Sequence, residues 1–530
     1  MSYNYLPPPD TTKFPFAQPE FDPIAIREGI EFGTLAFGPN DMYSKPWYNH
    51  EEQRQEYYNN APNAYYPQKD PAKRGLVTPY QKGSAMSNLP PEIWMEIAKS
   101  SGPTVVGAPA PLSQVSGRLR GIVHNMQDLY TNFTIEPLGS KRKLPDRKQV
   151  REWVQKSGNR PLTIAFAVDC VDWDAPQGLL DVMKELVCCL SRWEHVTLYV
   201  PWTYVMAELL NRADGPPTML RSLKLEGQTT YRSLTPFASA LVRYASCITD
   251  FHWVDSFGQE SRNGLGFTTE LPMNFGNLSK LHLDNPLVLP DVFLVLSQTH
   301  KLVSLEINNL SIVETAPWTA PSTRISLPML ASMKLVVHFE LFEAQSQVSL
   351  VGPLLSYIYT PSLRHAHFGF DENWNQDAFT RFLRTSNCKL QSLEFETVSI
   401  TEMDLRETMR SSMVQSSLQS LSIKTGEQPW SPLSEKAVER MTPPSRPSPS
   451  AANCYAPELR KLCVNLHTIH QFSGQFAEMV KRRAASGILK EVEIVGTGDR
   501  SRFFRRVPQD IEIIEQLGKK TNLKVTISTK

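Results

Sequence analysis

A short apolar pattern, L-x-x-L-x-L, recurs along most of this chain and limits the folds it can adopt. Successive copies begin 27, 28, 30, 24, 28, 33, 27, 28, 41 and 30 residues apart. With 41% apolar residues a single copy arises by chance about 7% of the time, so the regular spacing carries the argument. The chain is therefore predicted to consist of repeated units rather than one ordinary core. The copies begin at Trp193, Leu220, Ile248, Leu278, Leu302, Leu330, Leu363, Leu390, Leu418, Leu459 and Leu489.

Between the copies the apolar spacing becomes that of helices. Residues 179–190 place apolar side chains on one broad face, and residues 508–520 do so directly after Pro508. A strand followed by a helix about every 28 residues predicts an α/β solenoid, with parallel strands on the concave face and helices outside. The spacing is similar to that of leucine-rich repeats, although the Asn or Cys that completes such a repeat is mostly missing. The resemblance implies an irregular leucine-rich-repeat solenoid over residues 136–530.

Alternation along the predicted strands also assigns side chains to the concave face. The residue between the second and third apolar positions of a copy points away from the core. These outward residues form one predicted row of mixed charge that suits a protein partner. The predicted partner-binding row contains Lys224, His252, His282, Glu306, Lys334, His367 and Glu394. No third metal ligand is evident beside its histidines. Cys463 falls in the same row and is predicted to react with thiol reagents, whereas Cys188 or Cys189 is predicted to be shielded.

Residues 87–135 differ from the repeats and predict a small helical unit. Ser87 or Asn88 can cap a first helix, and the prolines that follow suit its entry. Ile93, Trp94 and Ile97 recur at helical spacing, and a second helix is predicted after Pro111. Several small helical bundles fit this description.

The order of short motifs in this segment resembles an F-box. An LPPEI opening at Leu89–Ile93 is followed by V-S-x-x-L-R at Val115–Arg120 and by the pair Leu129-Tyr130. It is also similar to the fungal type, in which W-x-x-x-S-G-x-x-P-L follows, here from Trp153 to Leu162. The resemblance implies binding to the small Skp-type adaptor of cullin-RING ubiquitin ligases. The residues implied to bind that adaptor are Leu89, Pro90, Ile93, Trp94, Ile97, Val115 and Leu119.

Composition divides the remainder of the chain. Residues 1–85 are rich in Pro, Tyr, Asn and Gln without periodicity, so they are predicted to be a disordered arm. Residues 425–456 carry Pro and Ser clusters inside the 41-residue step, so they are predicted to leave the solenoid as a disordered insertion. The predicted order is therefore arm, F-box-like domain at 87–135, and solenoid at 136–530.

Charge and motifs argue against several functional classes. The net charge of +1 gives no overall argument for nucleic acid, and the basic clusters near 141–148 and 500–506 are interpreted as solvated surface. No run approaches about 18 apolar residues, so no membrane partner is expected and the expected location is cytoplasmic, nuclear or both. The seven cysteines lack C-x-x-C spacing, and no catalytic or cofactor motif is found. We expect no enzyme activity, metal or cofactor.

Two functional classes remain on the sequence. The first is a substrate-recognition adaptor of an SCF-type ubiquitin ligase, whose solenoid binds an unknown target protein. The second is a leucine-rich-repeat interaction scaffold that never meets a ligase. Binding of the Skp-type adaptor separates the two classes.

Overall fold

The computed structural model describes most of the chain from Leu89 to Thr529. The parts of this span that it leaves undescribed are 101–116, 136–144, 168–176, 200–208, 211–212, 214, 228–240, 242–246, 256–274, 285–286, 312–320, 338–348, 372, 425–431, 445–453, 470–473 and 497–508. The predicted N-terminal arm and Val115 lie outside the described residues.

The chain has a mixed α/β fold with one large parallel sheet. Fourteen of the described strands pair in the order in which they occur along the chain, and the short strand Leu287–Val288 pairs beside them. The strands of the main path are β1 Asn132–Ile135, β2 Leu162–Ala167, β3 Trp193–Tyr199, β4 Ser222–Gly227, β5 Asp250–Asp255, β6 Lys280–Asp284, β7 Ser304–Ser311, β8 Ser332–Val337, β9 His365–Gly369, β10 Ser392–Glu396, β11 Ser420–Lys424, β12 Lys461–Asn465, β13 Glu491–Gly496 and β14 Lys524–Thr529. Two further strands, Ile325–Ser326 and Ile358–Tyr359, form a separate parallel pair.

Every one of the eleven predicted copies leads into a strand of this sheet. From the second copy onward, the first apolar residue lies two positions before the strand, and the next two point into the core. Leu223 and Leu225 of β4 are fully buried, and the side chains of Leu305 and Ile307 of β7 are each 1% exposed. These branched apolar side chains lie on the buried face of each strand, and polar side chains lie on the opposite face. The alternation fixes the register, because a slip by one residue would move the apolar side chains to the polar face.

The helices that follow β1 lie between the strands along the chain and contribute buried side chains to the core. The helices of the described residues are α1 Pro91–Ser100, α2 Gly117–Asn125, α3 Arg147–Lys156, α4 Gln177–Val187, α5 Leu289–Gln298, α6 Val351–Tyr357, α7 Gln376–Ser386, α8 Glu402–Arg410, α9 Ser412–Gln415, α10 Glu435–Met441, α11 Leu466–Ile469, α12 Gln475–Ala485 and α13 Gln509–Lys520. The two helices predicted from periodicity are α4 and α13, and Val182, Met183, Ile511 and Ile514 face the core as expected. None of the helices in the described part is long and apolar enough to cross a bilayer.

The sheet begins earlier than the sequence indicated. The F-box-like segment was predicted as a helical domain ending at residue 135, but its last four residues form β1, which pairs with β2. Phe133 and Ile135 belong to the main core, and Tyr130 just before them is buried. The alternating apolar residues of NFTI therefore make the end of the F-box-like segment the first strand of the sheet.

The predicted insertion at 425–456 is also wrong in its central part. Residues 432–444 are described, and Ser434 caps α10 by accepting a hydrogen bond from the Ala437 amide. Leu433, Val438 and Met441 are buried. The apolar side chains of this short helix offset the cost of ordering it, despite the prolines on either side.

Candidate protein-interaction surfaces

The predicted partner-binding residues occupy one continuous row across neighbouring strands. The register pairs Lys224 with His252, His252 with His282, and so on through Glu306, Lys334 and His367 to Glu394. We call these seven residues the polar row. Parallel strands lie about 4.8 Å apart, so the row extends over roughly 30 Å.

The first half of the polar row is joined by direct contacts. The rings of His252 and His282 stack with 3.7 Å between their centroids. His282 Nδ1 lies 2.8 Å from Glu306 Oε2, and Lys334 Nζ donates a hydrogen bond of 2.7 Å to Glu306 Oε1. Asn308 Nδ2 approaches His282 Nε2 at 3.3 Å, so both ring nitrogens of His282 are engaged. This half of the row is thereby held in one arrangement.

Burial and neighbouring charges change the acidity of this cluster. Burial lowers the pKa of His252 to about 3, and the adjacent His282 and Lys224 act in the same direction. The pKa of Glu306 is also lowered, because hydrogen bonds from His282 and then Lys334 outweigh its burial. At neutral pH the cluster therefore contains a neutral His252 and a charged Glu306.

The second half of the row centres on His367, and the structure adds two residues that the sequence reasoning missed. His367 Nδ1 is 3.6 Å from Glu394 Oε2, and His367 Nε2 is 3.2 Å from Oε2 of Glu396. Lys424 Nζ lies 2.5 Å from Glu394 Oε1. Glu396 lies two residues after Glu394 on the same face of β10, and Lys424 occupies the matching position on β11. Strand alternation extended by one step would have predicted both.

A shallow polar pocket of about 220 Å³ opens beside the middle of the polar row. Its lining includes Ser304, Ser332 and Ser392, which lie one row toward the strand starts. Glu306, Lys334, His367 and Glu394 also line it. Small hydroxyl side chains next to long charged ones create a groove in which a polar side chain of a partner can be bound.

The structure contradicts one cysteine prediction and agrees with the other. Cys463 lies in the register of the row, between Ser422 and Glu493, but it is buried and not accessible as predicted. Lys461 pairs with Glu493 beside it. Burial raises the pKa of the Cys463 thiol to about 11. Of the adjacent pair, one of which was predicted to be shielded, Cys189 is buried and Cys188, just after α4, is exposed.

The first helix of the described chain presents a second candidate surface. Ile93 is 46% exposed and Ile97 is 37% exposed, while Trp94 and Leu89 are half-buried and Pro90 is exposed. Prolines 90 and 91 start α1 as predicted, with the Ile93 amide donating to the Pro90 carbonyl. Leu119 lies in α2. Two branched apolar side chains one helical turn apart therefore face outward together.

The tryptophan-containing motif after this segment has a clear structural role. Trp153 packs near Phe133 of β1 with 6.2 Å between ring centroids. Ser157 ends α3, and Gly158 follows with φ of +58°, a left-handed conformation that favours glycine. Leu162 then begins β2 and is fully buried. The motif thus turns the chain from a helix into the sheet.

No family model matches this chain, and no curated protein matches it significantly.

A larger pocket of about 840 Å³ lies where the middle strands begin. Met219, Val303 and Met329 are exposed apolar residues in its lining, which also includes Cys247. Charged contacts border it, among them Arg221 with Glu194 at 3.3 Å. This pocket is more apolar than the one beside the polar row, and none of the residues predicted for partner binding lines it.

Proposed function

We propose that this chain is a substrate-recognition adaptor of an SCF-type ubiquitin ligase. In this proposal the F-box-like segment binds the Skp-type adaptor, and an irregular leucine-rich-repeat solenoid binds the target protein. The proposal rests on the motif order between Leu89 and Leu162 and on the surface that those residues form.

The observation that carries the proposal is the outward apolar face of α1. Ile93 and Ile97 remain 46% and 37% exposed, although isoleucine is among the residues most often buried. Covering such side chains with a partner stabilises a complex by roughly 25 cal/mol per Å² of apolar surface removed from water. An F-box-like segment is expected to present such a face to the Skp-type adaptor.

The polar row supports the second half of the proposal. Its acidic members already contact cations within the chain: Glu306 contacts Lys334, and Glu394 contacts Lys424. A surface with compensated charge gives no general attraction for a polyanion, so we do not propose nucleic acid as the partner. Fixed donors and acceptors in a defined order favour a protein that matches them.

The alternative is a leucine-rich-repeat scaffold that does not bind a ligase. The polar row fits this alternative equally well, because it does not involve α1. Only the function of the α1 surface separates the two proposals.

A pull-down with purified components tests the proposal. The full chain should capture a purified Skp-type adaptor, and Ile93→Asp should lose at least about tenfold in captured adaptor, because a charge would be placed in an apolar interface. Leu294→Asp is the matched control, since Leu294 is 45% exposed on the distant helix α5. Failure of the wild-type chain to bind where a known F-box protein binds would leave only the scaffold alternative.

A further inference from the structure

His367, Glu394 and Glu396 bring one nitrogen and two carboxylate oxygens together on the polar face of β9 and β10. Their potential ligand atoms all lie within 4.8 Å of one another. The pairing of His367 with Glu394 across the two strands sets this arrangement, and Glu396 follows on the same face. Gly369 lies opposite Glu396 in the register of the two strands.

One separation in this cluster fits two ligands of the same ion. Two donors bound to one ion at about 2.1 Å are separated by about 3.0 to 3.4 Å. His367 Nε2 and Glu396 Oε2 are 3.2 Å apart. That nitrogen is nevertheless buried without a partner in hydrogen-bond geometry, which in a native protein requires an explanation.

We propose that His367, Glu394 and Glu396 bind one divalent transition-metal ion. Imidazole with carboxylate suits Zn²⁺ and its neighbours in the first transition row, so Zn²⁺ is the probe of choice. Glu394 Oε2 lies 3.6 Å from Nδ1, the other nitrogen of the ring, so the Glu394 side chain must rotate to reach an ion bound at Nε2. The inference is independent of the adaptor proposal, because it concerns residues of β9 and β10 alone.

Lys424 determines how strongly such an ion is held. Its ammonium group contacts Glu394 Oε1, so the carboxylate can offer Oε2 to a metal while Oε1 stays paired. The positive charge of Lys424 also repels a metal cation bound nearby. Binding would change the local charge from net negative to net positive and would make this end of the polar row attractive to an acidic partner.

The test is calorimetric titration of Zn²⁺ into the full chain near neutral pH, together with thermal melting with and without Zn²⁺. The wild-type chain should show a saturable site whose occupancy raises Tm. His367→Gln and Glu396→Gln should weaken it by at least about tenfold. His282→Gln is the matched control, because His282 also contacts a glutamate in the row but has no second carboxylate in the described residues, and it should retain the site.

A variant that is expected to strengthen Zn²⁺ binding distinguishes the proposed site from simple damage to the fold. Lys424→Gln should tighten Zn²⁺ binding, since it removes a competing cation. Equal binding by the wild type and a folded His367→Gln protein would overturn the proposal, as would unchanged affinity in Lys424→Gln.

Discussion

At the scale of single residues, alternation predicted which side chains share a face but not how deeply each is covered. The seven residues of the polar row were all placed correctly in one register. Cys463 shares that register and is buried beside the ion pair of Lys461 and Glu493. A pattern in one dimension carries no information about those neighbours.

Thiol labelling of the native chain tests this corrected assignment. Cys188 should react rapidly with a thiol reagent near pH 8, while Cys463 and Cys189 should react slowly. Both slow thiols are buried, and burial raises the pKa of each to about 11, so little thiolate is present. Peptide mapping by mass spectrometry assigns the labelled residues, and denatured protein provides the control. Rapid labelling of Cys463 in the native state would contradict the burial described above.

His252 should make the stability of the protein depend on pH. Its pKa is lowered to about 3 in the folded chain from an unfolded value of 6.5, so the unfolded state binds more protons between these limits. The free energy of unfolding should therefore fall as the pH is lowered below 6.5.

The matched variant for this test is His252→Phe, which keeps a ring against His282 but cannot be protonated. Urea unfolding between about pH 5 and 6.5 should give a shallower decline for the variant than for the wild type. This window lies above the region in which Glu306, whose pKa is also lowered, loses its stabilising charge. Equal slopes for the two proteins would contradict the assignment.

At the scale of elements, prediction succeeded where the local pattern was complete. The eleven strands that L-x-x-L-x-L predicts were found, while β2 and β14 were missed because neither carries the full pattern. Helix α10 was missed because prolines and serines dominate the range 425–456. The signal was present in Ser434 as a cap and in Ala437, Val438 and Met441 at helical spacing.

Arg483 holds the segment around α10 to the rest of the fold. It is 1% exposed and donates hydrogen bonds to the carbonyls of Met441, Tyr455 and Ala456. These carbonyls belong to two described segments that lie before residue 445 and after residue 453, so one guanidinium joins the two segments.

Replacing Arg483 with Met should lower the free energy of unfolding by roughly 3 kcal/mol, since buried carbonyls would lose charged donors. Arg482→Met is the matched control: Arg482 is partly exposed and pairs with Glu478 at 2.7 Å on the same helix, so about 0.5 kcal/mol is expected. Urea unfolding measures both. Similar losses in the two variants would contradict the role given to Arg483.

At the scale of the whole described molecule, the two candidate surfaces lie at different strands of one sheet. Helix α1 contacts the 3-10 turn Gln127–Tyr130, which leads into β1 at one end of the sheet. The polar row begins with Lys224 on the fourth strand of the path, about 14 Å from β1 at 4.8 Å per strand, and Glu306 lies on the seventh strand, about 29 Å from β1. The proposed function predicts that partners bound at the two surfaces do not exclude each other.

How far each candidate site could be predicted from the sequence depended on whether its geometry repeats along the chain. A parallel sheet repeats its geometry at every strand, so one rule placed the whole polar row from the sequence. The surface of α1 has no such repetition, and its assignment depended on a resemblance between motifs. The cluster of His367, Glu394 and Glu396 required knowledge of side-chain directions across two strands.

The central claim is that one chain carries two independent binding surfaces. Quantitative co-purification of partners from cells that express variants at matched levels tests it most directly. The account predicts that Ile93→Asp loses the Skp-type adaptor but keeps the other specific partners. Lys334→Glu should keep the adaptor and lose those partners, since it reverses a charge in the polar row beside Glu306. Loss of both sets of partners in either folded variant, or absence of the adaptor from the wild-type sample, would contradict the account.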